Sequence, residues 1–165
     1  MPLLVIGLNH TTAPISIRER VTFGPDIIVG ALRSLTEQPG VHAAVILSTC
    51  NRTEVYCHAE ADAMESTRDW LAGFHGIVVE DIAPYLYSRE GRVAVEHLLC
   101  VASGLDSLIL GEPQILVQVK SGFQTASDAG RSGKLLTRLF QHAFGTAKQV
   151  RTCLLYTSPS PRDHG

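Results

Sequence analysis

The sequence predicts an α+β domain: a small, mostly antiparallel sheet packed with helices and ending in a long amphipathic helix. Two patterns carry that expectation. Apolar runs of strand length cluster in the first half of the chain, while helical apolar periods dominate the second. The length, 165 residues, is that of about one domain, enough to bury a core without disulfides or metal staples. No internal repeat is present.

Leu3-Leu4-Val5-Ile6-Gly7-Leu8 reads as a buried strand that runs into a polar turn, Asn9-His10-Thr11-Thr12. Ser16-Ile17-Arg18-Glu19 has the form of a capping box, which predicts a short helix starting there. Ile28, Ala31, Leu32 and Leu35 repeat at helical spacing, and Pro39-Gly40 closes that helix. Ala43 to Leu47 is apolar on both faces, as a buried strand is, and it gives way to a polar segment over 48–53. Val55-Tyr56-Cys57 is a further short strand.

Thr67, Trp70, Leu71 and Phe74 mark the next helix, with Gly76 just past its end. Val95, Leu98, Leu99 and Ala102 mark another that stops near Gly104. Glu112-Pro113 looks like an N-cap followed by proline at the first helical position, opening a helix that runs to about Asp128. The longest pattern is Leu135, Leu136, Leu139, Phe140, Ala143, Phe144, Ala147 and Val150. From Cys153 the period is lost, and Pro159 and Pro161 bar a helix. The boundaries expected are therefore a domain over 1–152, its long last helix starting at about 134, and a tail over 153–165 that is disordered or artefactual.

Composition excludes several classes of function. No apolar run is longer than five residues, the length of the stretch from Ala43 to Leu47, far too short to cross a bilayer. The first residues carry no basic segment of a signal peptide. A net charge of −2 does not suit a protein that coats nucleic acid. The four cysteines form no C-x-x-C pair and no disulfide framework, so a reducing, cytoplasmic setting is expected. G-x-S-x-G, Walker A and G-x-G-x-x-G signatures are all missing, so nothing in this chain is built to hold a nucleotide. His42, Cys50, Cys57 and His58 lack the spacing of a zinc site, and no metal is expected.

The segment with most chemistry is Ser48-Thr49-Cys50-Asn51-Arg52-Thr53-Glu54. A cysteine leaves a buried strand, enters a polar turn and meets an arginine two positions on. Nearby cations favour the thiolate, which is the nucleophile. From the residues alone Cys50 is either such a nucleophile or a half-buried inert thiol beside a surface arginine. Cys57 and Cys100 read as small packing residues. Gln114 and Gln118 share one helix face, either as solvated residues or as hydrogen-bonding groups. His97 is either a structural histidine or a general acid or base. Arg131, Lys134, Arg138, Lys148 and Arg151 give the last helix a basic face, either solvated or in weak phosphate contact.

Three segments together closely resemble glutamyl-tRNA reductase: Gly7-Leu8-Asn9-His10-Thr11-Thr12-Ala13-Pro14, Leu47-Ser48-Thr49-Cys50-Asn51-Arg52-Thr53-Glu54, and the run from Val101 through Gly104-Leu105-Asp106-Ser107-Leu108-Ile109-Leu110-Gly111-Glu112-Pro113-Gln114-Ile115. The resemblance covers about residues 3–152. It implies an enzyme in which a cysteine displaces tRNA from glutamyl-tRNA and forms a thioester. NADPH then reduces that thioester to glutamate 1-semialdehyde, the first step of the five-carbon route to tetrapyrroles. By motif, Cys50 is the implied nucleophile and His97 a histidine important for activity. Thr49, Asn51, Arg52, Ser107, Glu112, Pro113, Gln114 and Gln118 are the implied substrate-binding positions. Arg52 would pair with the glutamyl carboxylate and Glu112 with its amino group.

The resemblance also implies what is missing. In that family the last helix leads into an NADPH-binding domain and then a dimerisation domain, and the match stops near Thr152. The expected fragment is thus competent for acyl transfer and incompetent for hydride transfer, with glutamyl-tRNA as its partner, no membrane, and homodimerisation reserved for the longer family members. The rivals are a non-catalytic module that binds tRNA or a protein, and a generic cysteine hydrolase.

Overall fold

A computed structural model describes residues 2–110 and 113–157, with side chains described as far as residue 149. Four strands form one sheet: β1 (Leu3–Asn9), β2 (Val41–Ser48), β3 (Arg52–Ala59) and β4 (Tyr87–Glu90), in the order β2-β3-β1-β4. Every neighbouring pair is antiparallel. All seven residues of β1 are buried, and β2 and β3 are nearly so, because helices cover both faces of the sheet.

The short α1 (Ile15–Arg18) and α2 (Ile28–Thr36) precede β2; α3 (Ala63–Phe74) and α4 (Val79–Ile82) follow β3. Then come α5 (Gly91–Ala102), α6 (Pro113–Asp128) and α7 (Gly133–Thr157). Helices α5, α6 and α7 pack on one another and on the sheet. Alternation along β3 sends Arg52, Glu54 and Tyr56 to their side. Tyr56 meets Phe140 of α7 edge-on at 5.4 Å, and Glu54 is hydrogen-bonded to His97 of α5.

Two glycines let backbone approach backbone. Gly7 pairs with Glu54 across β1 and β3, and a Cβ there would strike the Thr53 carbonyl and sit 2.8 Å from Glu54 Cγ. Gly122 of α6 lies on β2, where a Cβ would come 2.8 Å from the Ile46 carbonyl oxygen. The buried residues of α7, Leu136, Phe140, Ala143 and Ala147, follow the helical period. Phe140 stacks on Phe123 of α6 at 5.7 Å.

Several expectations need correction. The first short helix starts at Ile15 with Pro14 at its cap and no side-chain capping bond, so Ser16 lies inside it and the capping box is not formed. β3 begins at Arg52, three residues earlier than its apolar signal. Strand β4 and helix α4 had no predicted counterpart, because Tyr87-Ser88-Arg89-Glu90 is a polar edge strand without an apolar alternation. Helix α7 continues through Cys153 to Thr157, since loss of the apolar period does not break a backbone helix and the first proline comes only at 159. The rest of the expected tail, 158–165, lies outside the described residues. Cys100 is exposed on α5 and not a packing residue, whereas Cys57 is fully buried.

Candidate active site at the turn between β2 and β3

The turn is built by Thr49. Its N–H donates to the Arg52 carbonyl at 2.8 Å, and its hydroxyl oxygen accepts from the N–H groups of Asn51 and Arg52 at 3.1 and 3.2 Å. This local bonding leaves Cys50 at the apex with an exposed side chain. A second clamp comes from α1. Arg18 Nε donates to the Cys50 carbonyl at 3.2 Å, while its Nη1 donates to the Ala13 carbonyl at 2.8 Å. The cysteine backbone is held from two sides and its thiol projects outward.

Beside the turn lies a narrow cleft. Its lining brings together Thr49, Asn51, Arg52, Ser107 and Gln118, all singled out from sequence, with His10, Leu108 and Ile115. His10 is carried by the turn after β1, where Asn9 Oδ1 accepts from the Thr11 and Thr12 N–H groups at 2.9 and 3.2 Å. Burial, followed by the charge of Arg52, pulls the His10 pKa down, with Arg18 acting in the same direction and Asp106 opposing. Pro113 and Gln114 are exposed at the start of α6 and do not line this cleft. Glu112 lies outside the described residues.

Under the cleft is a buried polar network centred on Glu54, which is wholly inaccessible. Its carboxylate accepts from Arg52 Nη1 at 3.1 Å, from the Tyr56 hydroxyl at 2.7 Å, and from the Tyr87 hydroxyl and His97 Nε2. An ionised carboxylate only accepts, so the proton on that His97 bond sits on Nε2. Burial alone would raise the Glu54 pKa. The bond from His97 and the charge of Arg52 outweigh it and bring the value to about 2. Burial likewise opposes the Arg52 charge, but Glu54 beside it raises the arginine pKa.

Arg52 is therefore spoken for. Besides Glu54, its Nη2 donates to the Asp106 carboxylate at 2.7 Å and to the Asp106 carbonyl at 2.9 Å, and its side chain is 2% exposed. Two carboxylates flank one guanidinium and more than offset its charge. His97 is bonded to Glu54 and not to Cys50. Sequence reasoning missed Arg18, His10, Glu54, Tyr87 and Asp106. Asn9-His10 and Glu54 were visible as polar residues against apolar strands, a signal of a built site. Nothing in the sequence placed Tyr87, because its strand went unrecognised.

A family model described as "Glutamyl-tRNAGlu reductase, N-terminal domain" matches residues 6–154. The chain belongs to this family. Curated glutamyl-tRNA reductases agree with that membership: the chain is 52% identical over 152 residues to the one from Alkalilimnicola ehrlichii and 53% identical over 154 residues to one from Shewanella sp. strain W3-18-1. Those matches take in 92% of this chain but 34% and 36% of the relatives. The solved structure of glutamyl-tRNA reductase from Methanopyrus kandleri superposes with a TM-score of 0.79 at 30% identity, covering 96% of this chain and 36% of that one. The chain thus spans about a third of the length of the reductases it matches. Its α+β architecture is that of the reductase N-terminal domain.

Proposed function

We propose that this domain performs the acyl-transfer half of glutamyl-tRNA reduction. Cys50 Sγ, as thiolate, attacks the carbonyl carbon of the glutamyl ester. The carbon–sulfur bond forms, the bond to the ribose oxygen breaks, and that oxygen takes a proton from water in place of the one the thiol gave up, so the tRNA leaves with a free hydroxyl. A thioester carbonyl is less resonance-stabilised than an ester, which suits it to later reduction. Thr49, Asn51, Ser107 and Gln118 supply hydrogen-bonding groups around the glutamyl moiety. Arg52 is left with the N–H groups that Glu54 and Asp106 do not occupy. His97, held through Nε2 by Glu54, serves as a positioned polar group at the base of the site, Pro113 and Gln114 take outer substrate positions at the start of α6, and Glu112 keeps the contact with the substrate amino group that the family motif implies.

The observation that carries this reading is the exposed Cys50 at the apex of a doubly clamped turn, next to a polar cleft. In a longer family protein, NADPH would reduce the thioester to glutamate 1-semialdehyde at the head of tetrapyrrole synthesis. The residues described here do not fit that cofactor: the sheet is antiparallel throughout and offers no strand, glycine-rich turn and helix for a dinucleotide. Hydride transfer, and dimerisation with it, are assigned to the remaining length of such a protein, in the cytoplasm where reduced thiols and tRNA coexist. No helix among the described residues is long and apolar enough to cross a membrane.

Radiolabelled glutamyl-tRNA tests the proposal. The chain is expected to acquire acid-stable label, and pretreatment with iodoacetamide to prevent it. Equal labelling of the alkylated chain would refute the thiol mechanism.

A further inference from the structure

Charge around the turn is unevenly compensated. Arg52, the arginine within the sequence motif, is sandwiched between Glu54 and Asp106 and holds no spare charge. Arg18 differs. Its guanidinium has five N–H donors, of which two are engaged, by the carbonyls of Cys50 and Ala13. Both partners are neutral and no carboxylate among the described residues pairs with this guanidinium, so within them its positive charge is uncompensated and further N–H groups remain. The side chain is half-buried, at the rim of the site.

Position makes this charge relevant. Arg18 Nε sits 3.2 Å from the carbonyl oxygen of the nucleophilic residue itself, so an ester attacked by Cys50 lies within a residue's length of the guanidinium. Its field also reaches the cleft, where it acts on His10. An aminoacyl ester of RNA has an anion on each side at that range: the glutamyl carboxylate and the phosphodiester of the terminal nucleoside. Planar guanidinium suits either by bidentate pairing.

We infer that Arg18 is a substrate-binding residue that receives a negatively charged oxygen group flanking the scissile ester. This rests on the acyl-transfer reading above for the identity of the ligand. The clamp on the Cys50 backbone then couples two tasks in one side chain: it orients the nucleophile and docks the anion beside it.

The test is equilibrium binding with unreactive, amide-linked ligands, so it does not depend on whether Cys50 is acylated. Three are needed: a hairpin RNA ending in CCA that carries glutamate, the same hairpin carrying glutamine, and 3′-glutamylamino-adenosine without phosphate. Arg18→Gln retains an amide donor for the backbone carbonyls but removes the charge; Arg18→Lys retains the charge. The glutamyl hairpin should bind Arg18→Gln at least about tenfold more weakly, with the salt slope reduced by about one if the ligand is phosphate. Arg18→Lys should recover most of the loss. If phosphate is the anion, the phosphate-free nucleoside is insensitive to Arg18→Gln. If it is the carboxylate, the nucleoside is sensitive and the glutaminyl hairpin is not. Wild-type affinity in Arg18→Gln, equal weakness of the Lys and Gln variants, or no hairpin binding by the wild type would overturn the inference.

Discussion

Glu54 lies across Gly7: the two pair in register between β3 and β1, and the absent Cβ of Gly7 is the space that the glutamate side chain crosses on its way to Arg52, Tyr87 and His97. One missing methyl group therefore sets the geometry beneath the candidate site.

Gly7→Ala should destabilise the fold and disturb the network together. The added carbon meets backbone at the Thr53 carbonyl and Glu54 Cα, neither of which can swing away. Overpacking of this kind costs about 1–3 kcal/mol, and here the upper end is expected. Urea unfolding of the two proteins should give that difference in unfolding free energy, read as a lower midpoint at an unchanged slope. A variant as stable as the wild type would mean that β1 and β3 shift freely.

Acid should weaken the domain through Glu54. Its pKa falls from 4.5 to about 2 on folding, so the unfolded state binds the proton more tightly. The stabilisation is complete above the unfolded value and is lost as pH falls from there towards 2. The full effect is on the order of 3 kcal/mol. Glu54→Gln should flatten this part of the stability–pH curve while lowering stability at neutral pH, because Arg52 loses one of its two carboxylate partners and Tyr56, Tyr87 and His97 lose a charged acceptor. An unchanged acid limb in the variant would remove Glu54 as its source.

Tyr87→Phe deletes one donor to a buried carboxylate and little volume. A loss of about 1–3 kcal/mol is expected from thermal or urea unfolding, as for a hydrogen bond to a charged group. No loss would show that β4 contributes its hydroxyl without stabilising the network.

Thiol mapping should divide the described cysteines differently from the sequence expectation. Cys50 and Cys100 are exposed and should be alkylated in the native protein. Cys57 is buried, and burial pushes its thiol pKa up, so it should react only on unfolding. Peptide mapping after brief iodoacetamide treatment decides this, and native labelling of Cys57 would contradict the packing of β3.

Much of this was legible in the sequence, for a physical reason. Apolar periods report burial, so β1, β2 and the long helices showed themselves through Leu3 to Leu8, Ala43 to Leu47 and the Leu136, Phe140, Ala143, Ala147 series. The polar edge strand β4 buries little and gave no such signal, which hid Tyr87. The cluster of Thr49, Asn51 and Arg52 was visible because those residues are neighbours in the chain, and Ser107 and Gln118 followed by motif. The pairing of Arg52 with Asp106, and of Arg18 with the Cys50 backbone, joins segments 54 and 32 residues apart. Only folding brings such groups together, so the two carboxylates that flank Arg52 were not foreseen, although the arginine still lines the cleft. The exposed side of Cys100 was missed because an apolar helix sequence does not say which turn is left uncovered.

Intact-mass measurement of the chain after mixing with glutamyl-tRNA tests the central claim most directly. The acyl-transfer account predicts a gain of one glutamyl group, located on the peptide bearing Cys50, or turnover of the ester by its hydrolysis, and loss of both in Cys50→Ser. A glutamyl adduct or ester cleavage that persists in Cys50→Ser would contradict it.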